Sequence, residues 1–528
     1  MTSGFLDLPS EILAIILENP NFPDNTLYSL ALLCRRLHFI ALPIYFSRNG
    51  MDYQSKSVVI AMRADGRDML AALHTALFVS SMEKITCIFP HPSCTSIFPL
   101  LYHLQRVKGL VWRFPSVKEV ILQLDVRGSI CLSVGDDEAL RAWASNLGDL
   151  LNCIVDRKCS SLTVRYGGQL TKAFEVFLPQ VLRTVPRKSI RDLLARVGRL
   201  ISPLKRRISQ DPTWVFRRVF QQGDDPVMVS MPPDLCSSDL TSLHIQSAIL
   251  ILPPCLHWTL TALRQCSITS LTLSEIYLDT DAWSIVLKLI AETAPTLTSV
   301  SLIELRSISD LDIVTFCSRL KLLENLEIDT KNFSPPNPLG FEYGSMPEFQ
   351  HLSRLRAPSE FILYFLRCHN SLPGIQSLCL SCPTVQTHHT SLDIHSLSRR
   401  LSLIIRTLGE HCLNPTLSLS LNSMFYHLVS PDITTELSDD LHMSLDRILG
   451  LEITILPFFF ADIADMAGWI RVFRRVQCVR ITLESPLDTT AHAERLVEAI
   501  QPMQFLEMVE VNGKSYSLKT SSGAMKMS

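Results

Sequence analysis

Residues 268–302 read ITSLTLSEIYLDTDAWSIVLKLIAETAPTLTSVSL, and they contain one complete copy of the unit from which the fold is built. It begins and ends with the same phrase, in which apolar residues stand at the first, fourth and sixth positions. Such alternation over a few residues favours a half-buried strand. Between the two phrases, an apolar stripe at helical spacing runs from Trp283 to Ile290 and stops before Pro295. The stretch therefore predicts a strand, a helix and a second strand.

The phrase recurs along the C-terminal half of the chain. Its centres are Leu243, Leu271, Val300, Leu326, Leu355, Leu378, Leu419, Leu451, Val479 and Val509. Neighbouring centres lie 23 to 41 residues apart, and most lie 26 to 32 apart. The repeats account for the composition, because 82 of the 528 residues are leucine, against about one residue in ten in an ordinary domain.

A period of about 20–29 residues is typical of leucine-rich repeats, which this region resembles. We therefore predict an α/β fold in which residues 236–528 form an irregular leucine-rich-repeat-like solenoid, with parallel strands inside and helices outside. The Asn or Cys that usually follows the phrase is mostly missing. Ile276, Leu305 and Lys331 stand at that position, and Cys382 comes one residue early. We expect the repeats to be irregular for that reason.

Residues 59–182 carry weaker copies of the same pattern. Strands are predicted around Ile85, Val120 and Leu162, and helices are predicted over residues 67–80 and 136–155. We interpret this region as degenerate first repeats. The polar, turn-rich segment 47–58 before it is predicted to be a short linker.

Residues 183–235 interrupt the pattern with a basic segment. Between positions 183 and 218 there are eleven Lys or Arg residues against two acids, Asp192 and Asp211, although the whole chain has a net charge of only −2. One interpretation is a patch for an acidic partner, a phosphate or a nucleic acid. The favoured one is a solvated helical insertion, because its apolar residues keep helical spacing and aromatic side chains that could stack on bases are few.

The first 46 residues predict a compact helical unit. Pro9 and Glu11 mark a helix start, Pro20 and Pro23 follow its end, and Asp24 can cap a second helix. A unit of this size buries little core on its own, so it should contact a partner or the rest of the chain.

Two motifs in this unit, LPSEIL from Leu8 and LALLCRRLH from Leu30, resemble an F-box of the fungal type. Leu37 replaces a tryptophan that is common in the family. The resemblance implies that residues 1–46 bind the Skp adaptor of Skp–cullin–F-box ubiquitin ligases, and cullin through it. Carried over by position, the adaptor-binding residues are Leu8, Pro9, Ile12, Ile16, Leu30, Leu33 and Cys34.

Sequence motifs for catalysis are missing. The chain has no GxSxG, GxxxxGK[ST] or HExxH motif and no GxGxxG after a predicted strand. The best metal candidate is the group Cys368, His369, Cys379, Cys382, His388 and His389, but Cys379 lies in a predicted strand, where neighbouring side chains diverge. We therefore expect no catalytic residue, metal or cofactor.

Composition and termini bear on the compartment. Hydrophobic residues make up 47% of the chain, which excludes a disordered protein, and a pI of about 6.7 disfavours a wholly basic nucleic-acid binder. No signal peptide or long uncharged apolar run is visible in these residues, and the 15 Cys form no dense cluster. We expect a protein of the cytoplasm or nucleus that does not use a membrane.

The sequence thus predicts a non-catalytic substrate receptor of a ubiquitin ligase, which recruits an unidentified protein substrate through the strand face of the solenoid. The alternative is a repeat scaffold that binds partners without any ligase.

Overall fold

The computed structural model describes most of the chain and divides it into two compact units. The described residues are 8–52, 56–63, 68–90, 98–124, 137–167, 174–177, 215–218, 238–329, 349–366, 372–381, 394–411, 413–422, 443–455, 467–468, 470–483, 490–501, 503–517 and 526–527. Unit 1 comprises residues 1–271 and 276–296, and unit 2 comprises residues 272–275 and 297–528.

Unit 1 begins with three helices, α1 (Ser10–Glu18), α2 (Asp24–Ala31) and α3 (Arg35–Arg48). Leu13 and Leu17 form the buried side of α1. The guanidinium of Arg48, at the end of α3, donates hydrogen bonds to the carbonyl oxygens of Leu17 (3.0 Å) and Asn19 (2.8 Å). Since the last carbonyls of a helix have no partner within it, Arg48 both caps α1 and fixes α3 against it.

The strands of unit 1 form a mainly parallel sheet. Their bounds are β1 (Met51–Asp52), β2 (Ser57–Ala61), β3 (Lys84–Ile88), β4 (Glu119–Gln123), β5 (Ser161–Arg165) and β8 (Ser242–Gln246). β1 is antiparallel to β2, and β2, β3, β4, β5 and β8 pair in parallel in that order. One register row joins Val58, Ile85, Val120, Leu162 and Leu243, so the predicted strand centres share a row.

The predicted linker and the predicted basic insertion are described only in part. The segment 47–58 contains β1 and the first residues of β2, a strand that the sequence did not predict because its polar flanks suggested a loop. Of the basic segment 183–235, the structure describes only β7 (Val215–Arg218), which pairs antiparallel with β6 (Phe174–Phe177); the rest of the proposed helical insertion lies outside the described residues.

The further helices described in unit 1 are α4 (Met69–Thr75), α5 (Phe98–Arg113), α6 (Asp137–Asp156), α7 (Leu256–Gln265) and α8 (Thr280–Thr293). Trp143, Trp258 and Trp283 are fully buried, and the indole N–H of Trp258 donates to Asn152 Oδ1 at 2.9 Å. The core therefore lies between the sheet and these helices.

Unit 2 continues the same architecture. Its strands are β10 (Ser299–Ile303), β11 (Asn325–Asp329), β12 (Arg354–Pro358), β13 (Ser377–Ser381), β14 (Thr416–Asn422), β15 (Ile448–Ile455), β16 (Cys478–Leu483) and β17 (Met508–Val511). All pair in parallel in chain order, and β18 (Lys514–Ser517) and β19 (Lys526–Met527) add antiparallel strands. The boundary between the units falls within β9 (Ser270–Ser274). The predicted α/β repeat fold is confirmed.

The register of unit 2 follows the predicted centres, with one shift. Val300, Leu326, Leu355 and Leu378 share a row, which continues to Leu417 rather than to the predicted centre Leu419. Between β14 and β15 the strand β15 carries one extra residue, so that Leu419 pairs with Leu451. A β-bulge of this kind shifts the row without exposing its leucines.

In the part of unit 2 that the structure describes, the leucine side of this sheet is covered by the helices α9 (Asp310–Arg319), α10 (Ser359–Leu366), α11 (Ile394–Glu410) and α12 (Thr490–Ile500). The Ser309 hydroxyl caps α9 by accepting a hydrogen bond from the N–H of Asp312 at 3.1 Å. Phe361 and Phe365 of α10 are fully buried. The alternate strand residues face away from the helices, on the surface that we call the open face.

The turns after the strands are closed by the main chain. In unit 2, Glu304 has a positive φ of 50°, and its N–H donates to the carbonyl oxygen of Asp329 at the end of the next strand. Tyr166 of unit 1 repeats the arrangement with Gln246. Leu305 is buried in the place of the usual Asn, which explains how the repeats form without it; Lys331 and Cys382 lie outside the described residues.

The close approach of β14 and β15 at Gly450 can be tested by substitution. A Cβ added at Gly450 would lie 3.0 Å from the Cβ of Ser418 on the neighbouring strand, whereas one added at Gly409 of α11 would meet nothing within 4 Å. We expect Gly450→Ala to lower the free energy of unfolding by about 1–3 kcal/mol in urea denaturation. Gly409→Ala, the matched control, should leave it unchanged or slightly higher. Equal effects of the two substitutions would contradict this packing.

The ion pair between Asp68 and Arg106 carries a second prediction. The Asp68 carboxylate is 1% exposed, accepts hydrogen bonds from the N–H groups of Arg63 and Ala71, and pairs with the Arg106 guanidinium at 2.5 Å. Burial alone would raise the pKa of Asp68, but these hydrogen bonds outweigh it and lower the pKa.

We expect Asp68→Asn to lower the free energy of unfolding by about 3 kcal/mol at pH 7, because it leaves the Arg106 charge uncompensated. Since the folded pKa of Asp68 lies below the unfolded value, this difference should be full above about pH 4 and disappear as the pH falls through the folded pKa. Urea denaturation at several pH values measures it. Asp149→Asn, at an exposed pair with Lys108, should cost under about 1 kcal/mol.

Candidate functional site

The structure leaves the predicted adaptor-binding residues accessible. Pro9, Ile12, Ile16 and Leu33 are exposed, Leu8, Leu30 and Cys34 are half-buried, and none of the seven belongs to the core. The apolar side chains that do form the core of the three helices are different ones, including Leu13, Leu17, Leu37 and Phe46. The helical unit therefore has two sets of apolar side chains. One set forms its core, and the other is left at the surface.

Arg36 brings the two N-terminal motifs together. Its Nη2 donates to the carbonyl oxygen of Leu8 at 2.5 Å, and its Nε donates to the Ser10 hydroxyl at 3.4 Å. The start of α1 is thus fixed beside the start of α3, which directly follows Leu33 and Cys34. Motif residues that are some 25 positions apart in the sequence therefore share one region of the surface.

Sequence reasoning missed two members of this region. Ile15 is 65% exposed and Leu32 is 54% exposed, comparable with Leu33 at 72%. The available signal was that Ile12, Ile15 and Ile16 all lie off the face that Leu13 and Leu17 define. We call Ile12, Ile15, Ile16, Leu32 and Leu33 the N-terminal apolar surface.

His38 connects the three helices to the first repeats. Its Nδ1 lies 3.1 Å from the carbonyl oxygen of Ala31, and its Nε2 lies 3.2 Å from the amide nitrogen of Leu77. An amide N–H can only donate, so Nε2 accepts and Nδ1 carries the proton that is donated to Ala31. Phe46 packs against Phe78 in the same contact, with ring centroids 6.1 Å apart. The N-terminal apolar surface is therefore presented from a fixed support.

The open face of unit 2 carries a second candidate site. Side chains on β11, β12, β15, β16 and β17 form an alternating series of charges that we call the charged ladder: Glu327, Arg356, Glu452, Arg480 and Glu510. Arg356 contacts Glu327 at 3.3 Å and Glu452 at 2.6 Å, and Arg480 contacts Glu452 at 3.1 Å and Glu510 at 2.9 Å. Each arginine thus links two carboxylates.

Small residues on the intervening strands allow Arg356 to reach Glu452. Between β12 and β15, the open face presents Cys379 and Ser418 in the register row of Arg356, followed by Gly450. The guanidinium crosses above them and also donates to the Ser420 hydroxyl at 2.5 Å. Burial alone would lower the pKa of Arg356, but Cys379 and the carboxylates of Glu452 and Glu327 raise it. The arginine is therefore charged and held in place.

A groove of about 630 Å³ lies beside the charged ladder, entirely within unit 2. Its polar lining comes from Ser299, Ser301, Asn325, Glu327, Arg354, Arg356, Gln376, Ser377, Thr416, Ser418 and Glu452. The volume falls in the range of ligand sites in proteins, but the lining is polar rather than apolar. Such a groove suits hydrogen bonding to a polar chain better than burial of an apolar molecule.

Among the described residues, no group of three or more His, Cys, Asp or Glu side chains could hold a metal ion. Cys379 lies on β13, where burial raises the pKa of its thiol to about 11, so the thiolate nucleophile is scarce at neutral pH. The other members of the predicted Cys/His group, Cys368, His369, Cys382, His388 and His389, lie outside the described residues.

Within the part of the chain that the structure describes, no helix combines the length and the apolar character that crossing a bilayer requires.

Comparisons with known proteins give structural likenesses only. No protein-family model and no curated protein matches the chain. It is similar to the leucine-rich repeat-containing protein LegL7 from Legionella pneumophila, with 16% identity, 49% of this chain and 79% of that chain covered, and a TM-score of 0.32. It is also similar to a chain in the crystal structure of the Rad7 and Elc1 complex in yeast, with 11% identity, 92% and 96% coverage, and a TM-score of 0.34.

The central position of Glu452 in the charged ladder generates a prediction. Glu452→Gln removes one charge from contacts with both Arg356 and Arg480, so we expect the free energy of unfolding to fall by about 1–2 kcal/mol at low salt. The loss should shrink in 0.5 M NaCl, because half-exposed charges are screened. Urea denaturation at both salt concentrations measures it.

Glu410→Gln is the matched control, since the partner of Glu410 among the described residues is Arg406, on the exposed surface of α11. It should cost under about 0.5 kcal/mol. If Glu452→Gln behaved like Glu410→Gln, the ladder would not be a coupled network.

Proposed function

We propose that this protein is the substrate-recognition subunit of a Skp–cullin–F-box ubiquitin ligase. Residues 1–46 bind the Skp adaptor, which in turn binds cullin, and the repeats bind a protein substrate. The observation that carries the proposal is the N-terminal apolar surface, in which Ile12, Ile15 and Leu33 are exposed at or beside the positions of the F-box motif.

Physical chemistry supports a protein partner for this surface. Five large aliphatic side chains exposed within a unit of about 40 residues leave apolar area in water, at a cost of about 25 cal/mol per Å² that burial in an interface would recover. The hydrogen bonds of Arg36 and Arg48 fix the helices that carry these side chains, so little conformational freedom is lost on binding.

In this proposal the chain acts by positioning and does not itself make or break bonds. A substrate held by the repeats while the adaptor is held by the N-terminal helices has a high effective concentration at the ubiquitin-charged enzyme. The protein is accordingly not an enzyme itself, and it acts in the cytoplasm or nucleus, where that machinery lies.

A repeat scaffold that acts without a ligase is the second candidate. The charged ladder and its groove would serve it equally well, because they form a polar binding face that needs no adaptor. The two candidates share the repeat face and differ only in whether the N-terminal apolar surface binds the Skp adaptor.

Co-purification of the full chain with the Skp adaptor and cullin tests the proposal. We expect wild type to recover both, and the double substitution Ile12→Asp with Leu33→Asp to reduce recovery at least tenfold, because it puts carboxylates into an apolar interface. Both side chains are exposed, so the circular dichroism spectrum should be unchanged.

Leu403→Asp provides the matched control, because Leu403 is an exposed leucine on α11, in unit 2. It should recover as much adaptor as wild type. Failure of wild type to recover the adaptor would favour the scaffold, and equal recovery by the double variant would show that the N-terminal apolar surface is not the adaptor site.

A further inference from the structure

One register row of the open face contains hydrogen-bond donors and no carboxylate. Ser299, Asn325, Arg354, Ser377 and Thr416 lie directly opposite one another on the five strands from β10 to β14. We call them the donor row. All five line the groove of about 630 Å³. Adjacent strands are about 4.8 Å apart, so the row is roughly 19 Å long, the length of about six extended residues.

The charge of the donor row is not balanced. Arg354 is exposed, and no described carboxylate lies within ion-pairing distance of it. Its neighbours across the strands, Asn325 and Ser377, are uncharged. Arg356, two residues further along β12, differs because Glu327 and Glu452 already neutralise it. Among the described lining residues, Arg354 is therefore the arginine that no carboxylate pairs with, although the two arginines and the two glutamates of the lining balance in formal charge.

We infer that the groove binds an extended segment of a partner protein and that Arg354 pairs with an Asp or Glu side chain of that segment. Arginine binds carboxylates through two parallel N–H donors, and the hydroxyl and amide groups beside it can donate to main-chain carbonyl oxygens of the segment. The length of the donor row matches a peptide of about six residues lying across the strands.

The lining favours a carboxylate over a phosphate ester. Glu327 and Glu452 also line the groove, so negative charge is already present close to the donor row. A carboxylate brings a single charge, which one guanidinium compensates. A phosphoserine brings nearly two, and the excess would be repelled by these glutamates.

As an assignment of the substrate class, this inference rests on the proposed function. As a binding site it stands independently, because the groove lies within unit 2 and its residues are not those of the N-terminal apolar surface.

Peptide binding to the full chain tests the inference. The probes are eight-residue peptides with Glu at one fixed position and randomised flanks, beside matched sets with Gln or phosphoserine there. We expect wild type to bind the Glu set at least tenfold more tightly than the Gln set, and more tightly than the phosphoserine set. The affinity should fall between 50 and 300 mM salt.

Three variants identify the residue responsible. Arg354→Gln should abolish the preference for Glu, and so should Asn325→Asp, which supplies Arg354 with a carboxylate directly across the strands. Arg399→Gln, at an exposed arginine on α11, should keep it. If Arg354→Gln failed to fold, Asn325→Asp would still test the role of Arg354. Thermal unfolding shows whether each variant is folded.

The outcomes separate the two proposals. No preference of wild type for Glu, a preference that persists in Arg354→Gln, or tighter binding of the phosphoserine set would each overturn the inference. Recovery of the Skp adaptor is measured separately. A chain that recovers the adaptor but shows no preference for Glu would keep the proposed function and lose this site. A chain that prefers Glu but fails to recover the adaptor would keep this site and lose the proposed function.

Discussion

The structure depends on the register of its parallel strands. In a parallel pair, evenly spaced main-chain hydrogen bonds hold residues opposite one another, and alternate side chains point to opposite faces. When each strand returns in the same register, the apolar residue at the centre of one phrase is placed next to the central residue of the next. Val300, Leu326, Leu355 and Leu378 form such a row. One face thereby becomes a continuous apolar row under the helices, and the other is left for polar residues.

The same constraint explains the open face. Because register places side chains in rows, a short run of small residues on two strands gives a long side chain room to cross them. Arg356 uses that room to reach Glu452 above Cys379 and Ser418. The bulge between β14 and β15 keeps Leu419 on the buried side, and Gly450 accommodates the close approach of Ser418. The charged ladder and the donor row are thus consequences of strand pairing.

Much of the repeat fold could be predicted, because a periodic pattern is local information. The phrases around Ile85, Val120 and Leu162 lie in the row expected for them. Helix α5 was missed because its apolar residues are interrupted by polar ones, and β2 because its flanks are polar. At the N-terminal apolar surface, the motif indicated Ile12 and Leu33, but Ile15 and Leu32 became evident only once burial separated them from the core.

The class of fold, the repeat period and the apolar helices of the N-terminus can be read from the order of amino acids, since each follows from residue spacing along one segment. Which side chains from distant segments meet depends instead on how the strands pair in the folded chain. Glu327 and Glu452 are 125 positions apart, yet both bind Arg356, and Arg354 lacks a counter-ion among the described residues only because of what lies opposite it. No local pattern encodes such contacts, because they arise from the register of strands whose connections vary in length.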